Sequence, residues 1–160
     1  MKNFSNLKYR KAVFILVYSI NSKTKKPEYL VLKRKLHWIG WEFPKGGIEW
    51  YDFFKRRAAI RELREETGIK KVLKIKKFDF SGRYPYAREY SDRRGFQGQT
   101  YILYAAQVEK PKTISIDKKE HSDFKWLTYD KALKTLKWSN QKTSLEIVNL
   151  YLKIKFIKNK

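Results

Sequence analysis

"RELREETGI", Arg61–Ile69, places Glu62, Glu65 and Glu66 beside an arginine within two helical turns. Glu62 lies four residues from Glu66 and three from Glu65, so at 3.6 residues per turn the three carboxylates share one side of a helix. Like charges this close repel, and the cost is conspicuous in a chain of net charge +22. Just upstream, the apolar positions Ala59, Ile60, Leu63 and Thr67 recur at spacings of three and four. That period predicts an amphipathic helix over Phe53–Thr67. Asp52 is its expected N-cap and Gly68 its stop. The expected stripe leaves the glutamates pointing away from the core.

Clustered carboxylate oxygens suit a hard divalent cation, Mg²⁺ or Mn²⁺, which takes oxygen ligands and keeps room for substrate phosphate. Taken alone, a solvated helix face of Glu–Lys and Glu–Arg pairs explains the turn as well. The segment before it changes the balance. "FPKGG", Phe43–Gly47, supplies glycines that let backbone approach a ligand closely. Loop, acidic helix and glycine stop read as one unit.

Further out, "KAVFILVYSI" (Lys11–Ile20) is a β-branched, aromatic run and reads as a buried strand. "YLVLKRK" (Tyr29–Lys35) reads as its hairpin partner, and "HWIGWEFPKGG" (His37–Gly47) as a loop with a short extended piece. Beyond the helix, Val72–Gly82, Gln99–Val108 and His121–Thr128 read as strands. "RYPYAREYSDRRGFQG" (Arg83–Gly98) reads as a long loop. Two helices close the chain, Tyr129–Leu136 and Ser144–Ile157, the second packing Leu145, Ile147, Val148, Tyr151 and Leu152 inward. The order β-β-α-β-β-β-α-α predicts one domain over 1–160, of mixed α/β (α+β) class, with helices on the faces of a mixed sheet. A basic tail is expected from about residue 153 to 160.

Composition bounds the function. With 42% apolar and 16% aromatic residues the chain is expected to be globular. It has no cysteine, which excludes disulfides, thiolate metal sites and a cysteine nucleophile. It has two histidines, His37 and His121, so a His-rich metal site is not expected. Apolar runs such as Ala12–Tyr18 are far short of a membrane span, and no signal-like core opens the sequence. The expected location is the cytoplasm. The positive charge predicts attraction to polyanions, whether nucleic acid, nucleotides or anionic lipid surfaces, although lysines spread along the whole chain also fit a merely solvated surface.

"GGIEWYDFFKRRAAIRELREETGI", Gly46–Ile69, resembles the Nudix box, G-x₅-E-x₇-R-E-U-x-E-E-x-G-U with U a bulky aliphatic residue. The second half matches at Arg61, Glu62, Leu63, Glu65, Glu66, Gly68 and Ile69. The first glutamate of the pattern departs: it falls on Phe53 counting from Gly47, or on Asp52 counting from Gly46 with one extra residue before Arg61. Asp52 then takes over the bracing of the loop and arginine, or the brace is lost. The resemblance extends to "YRKAVFILVY", to "WEFPKGG" and to "EHSDFKWL" (Glu120–Leu127).

The resemblance implies a Nudix-type α/β/α sandwich that hydrolyses a nucleoside diphosphate linked to another group. It implies Glu62, Glu65, Glu66 and Glu120 as metal ligands or base, the Gly46 carbonyl as a further ligand, and Arg61 as the group that orients a glutamate. It implies Mg²⁺ or Mn²⁺ as cofactor. "WEFPKGGIE" is similar to the dinucleoside tetraphosphate hydrolase and RNA pyrophosphohydrolase branches, which puts Lys45 and Trp41 near substrate. The loop and the strand opening at Gln99 resemble the same branches. Tyr84 and Tyr86 would sandwich a base, and Arg83, Arg88, Arg93 and Arg94 would grip polyphosphate or RNA. Arg10 and Arg34 stand where relatives carry phosphate-binding arginines. His37 and His121 read as packing groups, and Trp38, Trp41 and Trp126 as core or loop anchors, with Trp41 close enough to the box to border the pocket instead. A dinucleoside polyphosphate such as diadenosine tetraphosphate is the first expectation. The 5′ end of triphosphorylated RNA is the alternative, and a non-catalytic nucleotide- or RNA-binding module the reading from another class.

Overall fold

The computed structural model describes residues 8–88 and 90–158. Strands β1 (Lys8–Ile20), β2 (Pro27–Arg34), β3 (Gly40–Glu42) and β4 (Lys45–Gly47) precede helix α1 (Lys55–Thr67). Strands β5 (Lys74–Pro85), β6 (Phe96–Gln107) and β7 (His121–Leu127) follow, then α2 (Tyr129–Thr135) and α3 (Ser139–Lys158). The expected short extended piece resolves into two strands, β3 and β4. The expected long loop shrinks, because β5 runs on through Pro85 and β6 begins at Phe96.

β1 organises the sheet. Phe14, Leu16 and Tyr18 pack toward Ala132, Leu145, Val148 and Leu152 of α2 and α3. Val13, Ile15 and Val17 pack toward Ala58, Ala59 and Leu63 of α1. A strand covered on both faces reads as a continuous apolar run rather than an alternating one, which is why Lys11–Ile20 was legible as buried. The result is the three-layer α/β/α arrangement.

Along one edge β1 pairs with β6 in parallel, and β5 pairs antiparallel with β6. The other edge is divided. β4 takes Ala12–Phe14 and β2 takes Tyr18–Ile20, both antiparallel. β2 then diverges from β1 to pair with β3 on one side and β7 on the other. The segment 40–47 fills the opening wedge, and the Ile15 N–H donates to the Pro44 carbonyl at 2.8 Å within it. Glycines and a proline form this wedge, and the functional groups gather there.

Two local expectations change. Phe54, with no side-chain cap, precedes α1 in the N-cap position; Asp52 instead turns back to accept the Glu49 N–H at 2.9 Å. The buried stripe of α1 is Ala58, Ala59, Leu63 and Thr67 rather than one containing Ile60, and it includes Glu62 and Glu66. Those two carboxylates do not face solvent, because their side of the helix packs on β4: the Lys45 N–H donates to Glu66 Oε2 at 3.0 Å. Gly68 ends the helix in the left-handed region at φ 71°, its N–H returning to the Arg64 carbonyl. α3 continues to Lys158, so the expected basic tail is helical that far; residues 159–160 lie outside the described residues. Among the described residues no helix is long and apolar enough to cross a membrane.

Candidate active site

Arg61 ties α1 to the loop before it. Its Nε donates to Asp52 Oδ1 at 3.0 Å, and its Nη2 to Asp52 Oδ2 at 2.6 Å and to the Gly47 carbonyl at 2.8 Å. Its Nη1 donates to Glu62 at 2.8 Å and to Glu65 at 3.0 Å. Every nitrogen of the guanidinium is used. The Arg61 hydrogen bonds hold the Asp52 carboxyl below the usual carboxylate range. Asp52 therefore braces loop and arginine across the one-residue insertion, and Phe53 is left exposed. At Gly46 a Cβ would run into the Glu62 carboxylate, so only glycine lets the loop approach the helix this closely.

A cavity of about 240 Å³ opens between this loop, α1 and the start of β7. Arg10, Arg34, Lys45, Gly46, Arg61, Glu62, Glu65, Glu66, Gln99 and Glu120, all expected site residues, line it. So do Gly47, Glu49, Tyr51 and Arg93. Burial pushes the Glu62 carboxyl up to about 7, against the opposing pull of Arg61. Burial also pushes Glu66 well up, reinforced by Glu120, Glu42 and Glu62 around it. A further cation beside such carboxylates favours their charged form. Donor atoms of Glu66, Glu120 and His121 lie within 4.8 Å of one another, a group able to hold a metal ion. The oxygen-rich donor set fits a hard divalent cation. Glu62 and Glu65 reach the same cavity while bonded to Arg61.

Behind the cavity sits a carboxylate that sequence reasoning missed. Glu42 is fully buried on β3. It accepts from Arg34 Nη1 at 3.1 Å and Trp38 Nε1 at 3.1 Å, and pairs with Lys45 Nζ at 3.2 Å. Burial raises its pKa, but Lys45, His121 and Arg34 outweigh burial and hold it at about 2. Burial in turn pulls Lys45 down to about 8. Arg34 also pairs with Glu120 at 2.9 Å, and among the described residues its Nη2 is buried with no hydrogen-bond partner, as is Nη1 of Arg93. Among the described residues both ring nitrogens of buried His121 likewise lack hydrogen-bond partners, Nε2 standing 3.6 Å from Glu42 Oε1. The sequence signal for Glu42 was an acidic residue alone in an apolar strand, and for His121 its position next to Glu120.

A second cavity, of about 500 Å³, adjoins the first, with Lys45 in the wall of both. Its walls are His37, Trp38, Tyr84, Tyr86, Tyr90 and Trp138, with Asn140 and Gln141 as polar groups. Tyr84 and Tyr86 are both there, but their rings meet at 69° with centroids 6.4 Å apart, edge to face rather than as a parallel sandwich. The Tyr86 hydroxyl donates to Gln99 Oε1 at 3.2 Å and so links the two cavities. Trp41 lines neither cavity, contrary to expectation: it packs on the α2–α3 side of the core, with Lys125 over its ring. Trp126 packs on the α1 side. Of the loop arginines, Arg93 is buried against Tyr86 and Tyr90 at the charged cavity. Arg83 lines the aromatic cavity, while Arg88 and Arg94 are exposed.

The NUDIX domain family profile matches residues 8–147. An RNA pyrophosphohydrolase of a Nitratiruptor species is 30% identical over 125 residues, covering 76% of this chain and 79% of that protein. Among solved structures, a C. elegans Ap4A hydrolase in a binary complex superposes with a TM-score of 0.70 at 23% identity, over 90% of this chain and 98% of that one. The E. coli dihydroneopterin triphosphate pyrophosphohydrolase superposes with a TM-score of 0.69 at 18% identity, over 89% and 98%. With the family pattern spread over nearly the whole chain and Arg61, Glu62, Glu65, Glu66 and Glu120 gathered on one cavity, the protein belongs to the Nudix family and is a Nudix pyrophosphohydrolase.

Proposed function

We propose that this enzyme hydrolyses a phosphoanhydride bond in a nucleoside 5′-polyphosphate, with the 5′ end of triphosphorylated RNA as its principal substrate. The observation that carries the reading is that Lys45 lines both a charged cavity suited to polyphosphate and an aromatic cavity suited to one nucleoside. Glu66 and Glu120, with Glu62, Glu65 and the Gly46 carbonyl beside them, would hold Mg²⁺ or Mn²⁺. Such an ion, when bound, neutralises charge on the phosphoryl oxygens and acidifies water.

The chain's own groups do the rest. Arg10, Arg34 and Arg93 grip the phosphates, and the two unpartnered guanidinium nitrogens receive oxygens there. Arg61 fixes the orientation of Glu62. A buried glutamate of raised pKa accepts the proton as water oxygen attacks phosphorus and the P–O–P bond breaks toward the departing phosphate. Lys45 stands where the leaving charge develops. Tyr86 and the other aromatic walls hold the base and exclude water.

RNA is placed ahead of a dinucleoside polyphosphate, reversing the order drawn from the sequence. The RNA pyrophosphohydrolase relative and the net charge of +22 support the change. A dinucleoside polyphosphate is the second reading, supported by the likeness of the loop and Gln99 strand, which extends to both branches. A substrate of either kind implies an enzyme of the cytoplasm. A module that only binds is disfavoured by the complete Arg61 bond network. Product analysis with Mg²⁺ tests the reading, with E66Q as the blank. Phosphate or pyrophosphate released from 5′-triphosphate RNA more efficiently than ATP and AMP from diadenosine tetraphosphate supports it. The reverse preference installs the second reading. Turnover of neither, with binding retained, removes both.

A further inference from the structure

The loop entering α1 exposes Trp50, Phe53 and Phe54 at 91%, 79% and 73% of their surface. A single exposed apolar side chain is ordinary, but three large exposed aromatics within five residues of chain mark a contact surface. Neither core cluster includes them. Lys55, Arg56 and Arg57 follow, all exposed and, among the described residues, without an ion-pair partner. The first turn of α1 holds no acidic residue. Cations at that end oppose the helix dipole, so helix formation does not account for them. The Arg57 guanidinium lies 5.7 Å from the centre of the Phe53 ring.

Chain neighbours of this strip line the metal cavity. Glu49 and Tyr51 line the cavity, and the Trp50 ring meets Tyr51 edge-on at 5.5 Å on the outside of the same turn. On its flank, Ile48 and Lys55 line a hollow of about 400 Å³ with Lys11 and Arg83 among its other walls. Arg83 also lines the aromatic cavity. Aromatic faces beside a run of cations suit the bases and phosphates of a single strand, and base–aromatic stacking tolerates any sequence.

Building on the RNA reading above, we infer that Trp50, Phe53 and Phe54, with Lys55, Arg56 and Arg57, hold the single-stranded nucleotides that follow the 5′ end while its polyphosphate sits in the metal cavity. The strip lies outside the groups that do chemistry, so it acts on affinity for long substrates and not on bond cleavage.

The test compares the wild type with W50A/F53A/F54A and with K55Q/R56Q/R57Q. Substrates are 5′-triphosphorylated oligoadenylates from the dinucleotide upward, with Mg²⁺. A 5′-hydroxyl oligoadenylate carrying a fluorophore reads binding without turnover. In the wild type KM should fall at least about tenfold with length. The aromatic variant should lose that gain while its turnover of the dinucleotide is unchanged, and the basic variant should bind the labelled oligomer with a shallower salt dependence. A length gain that survives in the aromatic variant, or is missing from the wild type, overturns the inference even if RNA is hydrolysed. Loss of vesicle binding or self-association in that variant, with the length gain intact, also overturns it and assigns the strip to a membrane or a second copy. Binding of the 5′-hydroxyl oligomer that the aromatic substitutions abolish, with no triphosphate RNA cleaved, upholds the strip and removes the substrate reading instead.

Discussion

The two cavities that meet at Lys45 are made differently. The charged one, of about 240 Å³, draws most of its walls from one continuous stretch, Lys45 through Glu66, with Arg10, Arg34, Arg93, Gln99 and Glu120 added from elsewhere. The aromatic one, of about 500 Å³, collects Trp38, Tyr84, Tyr90, Tyr101 and Trp138 from well-separated segments. In the first, the side chains are locked by charge, as Arg61 shows with its bonds to Asp52, Glu62 and Glu65. In the second they are placed by packing, ring edge against ring face. Chemistry is local in this sequence and recognition is assembled by the fold. Substitutions should separate the two cavities in kind as well as in size.

The largest effect is expected at Glu66. E66Q keeps the shape, and its amide cannot serve as an anionic ligand or base. Turnover should fall on the order of 10³-fold, while the melting temperature in the absence of metal stays level or rises, because a buried carboxylate among three others is removed. Steady-state kinetics with Mg²⁺ and a thermal melt check the two halves. Near-full turnover would refute the role given to Glu66.

Asp52 comes next. D52A removes the acceptor of Arg61 Nε and one of the two acceptors of Nη2, in a site where the Asp52 side chain is 4% exposed and that of Arg61 19%. Breaking such a pair costs about 3 kcal/mol, read by urea unfolding. Turnover should fall as well, through a loosened Glu62. If D52A is as stable as the wild type, the brace is not at Asp52.

The metal-free protein should also respond to pH. Burial raises Glu62 from the ordinary 4.5 to about 7. A raised carboxyl contributes stability that is fully present below the unfolded value and is lost as pH rises through about 7. The loss is at most roughly 3 kcal/mol. Asp52, depressed by Arg61, acts in the opposite direction and only on acidification. Added Mg²⁺ should restore the loss at alkaline pH, since an ion that binds the folded state alone stabilises it. A melting temperature that does not fall between pH 5 and pH 8 without metal would show that Glu62 is solvated.

What the sequence made legible follows the same division. The spacing of Glu62, Glu65 and Glu66 survives folding because a helix preserves spacing. The direction of those carboxylates was misread, since helical period alone does not tell that β4 covers that side and buries Glu62 and Glu66. Glu42 was invisible for a related reason: one glutamate in a three-residue strand has no period, and only the convergence of Arg34, Lys45 and Trp38 gives it meaning. Trp41 was placed at the substrate by its nearness in sequence to the glycines, but strand alternation turns it to the opposite side from Glu42. Trp138 could not have been assigned at all. It joins the aromatic cavity through the α2–α3 connection, a hundred residues after Trp38, and meets that ring edge-on at 6.3 Å.

The smallest effect is expected at the link between the cavities, and it is the sharpest test of their separation. Tyr86 has its ring in the aromatic cavity and its hydroxyl on Gln99, which lines the charged one. Y86A removes a stacking surface and should raise KM for the nucleotide about tenfold with little change in kcat, the signature of binding lost equally from ground and transition states. Y86F keeps the ring and removes only the hydrogen bond. If the cavities work independently, Y86F keeps the KM of the wild type. If Gln99 depends on that bond to meet phosphate, Y86F lowers kcat several-fold with KM unchanged, and recognition then acts on the chemistry through Tyr86.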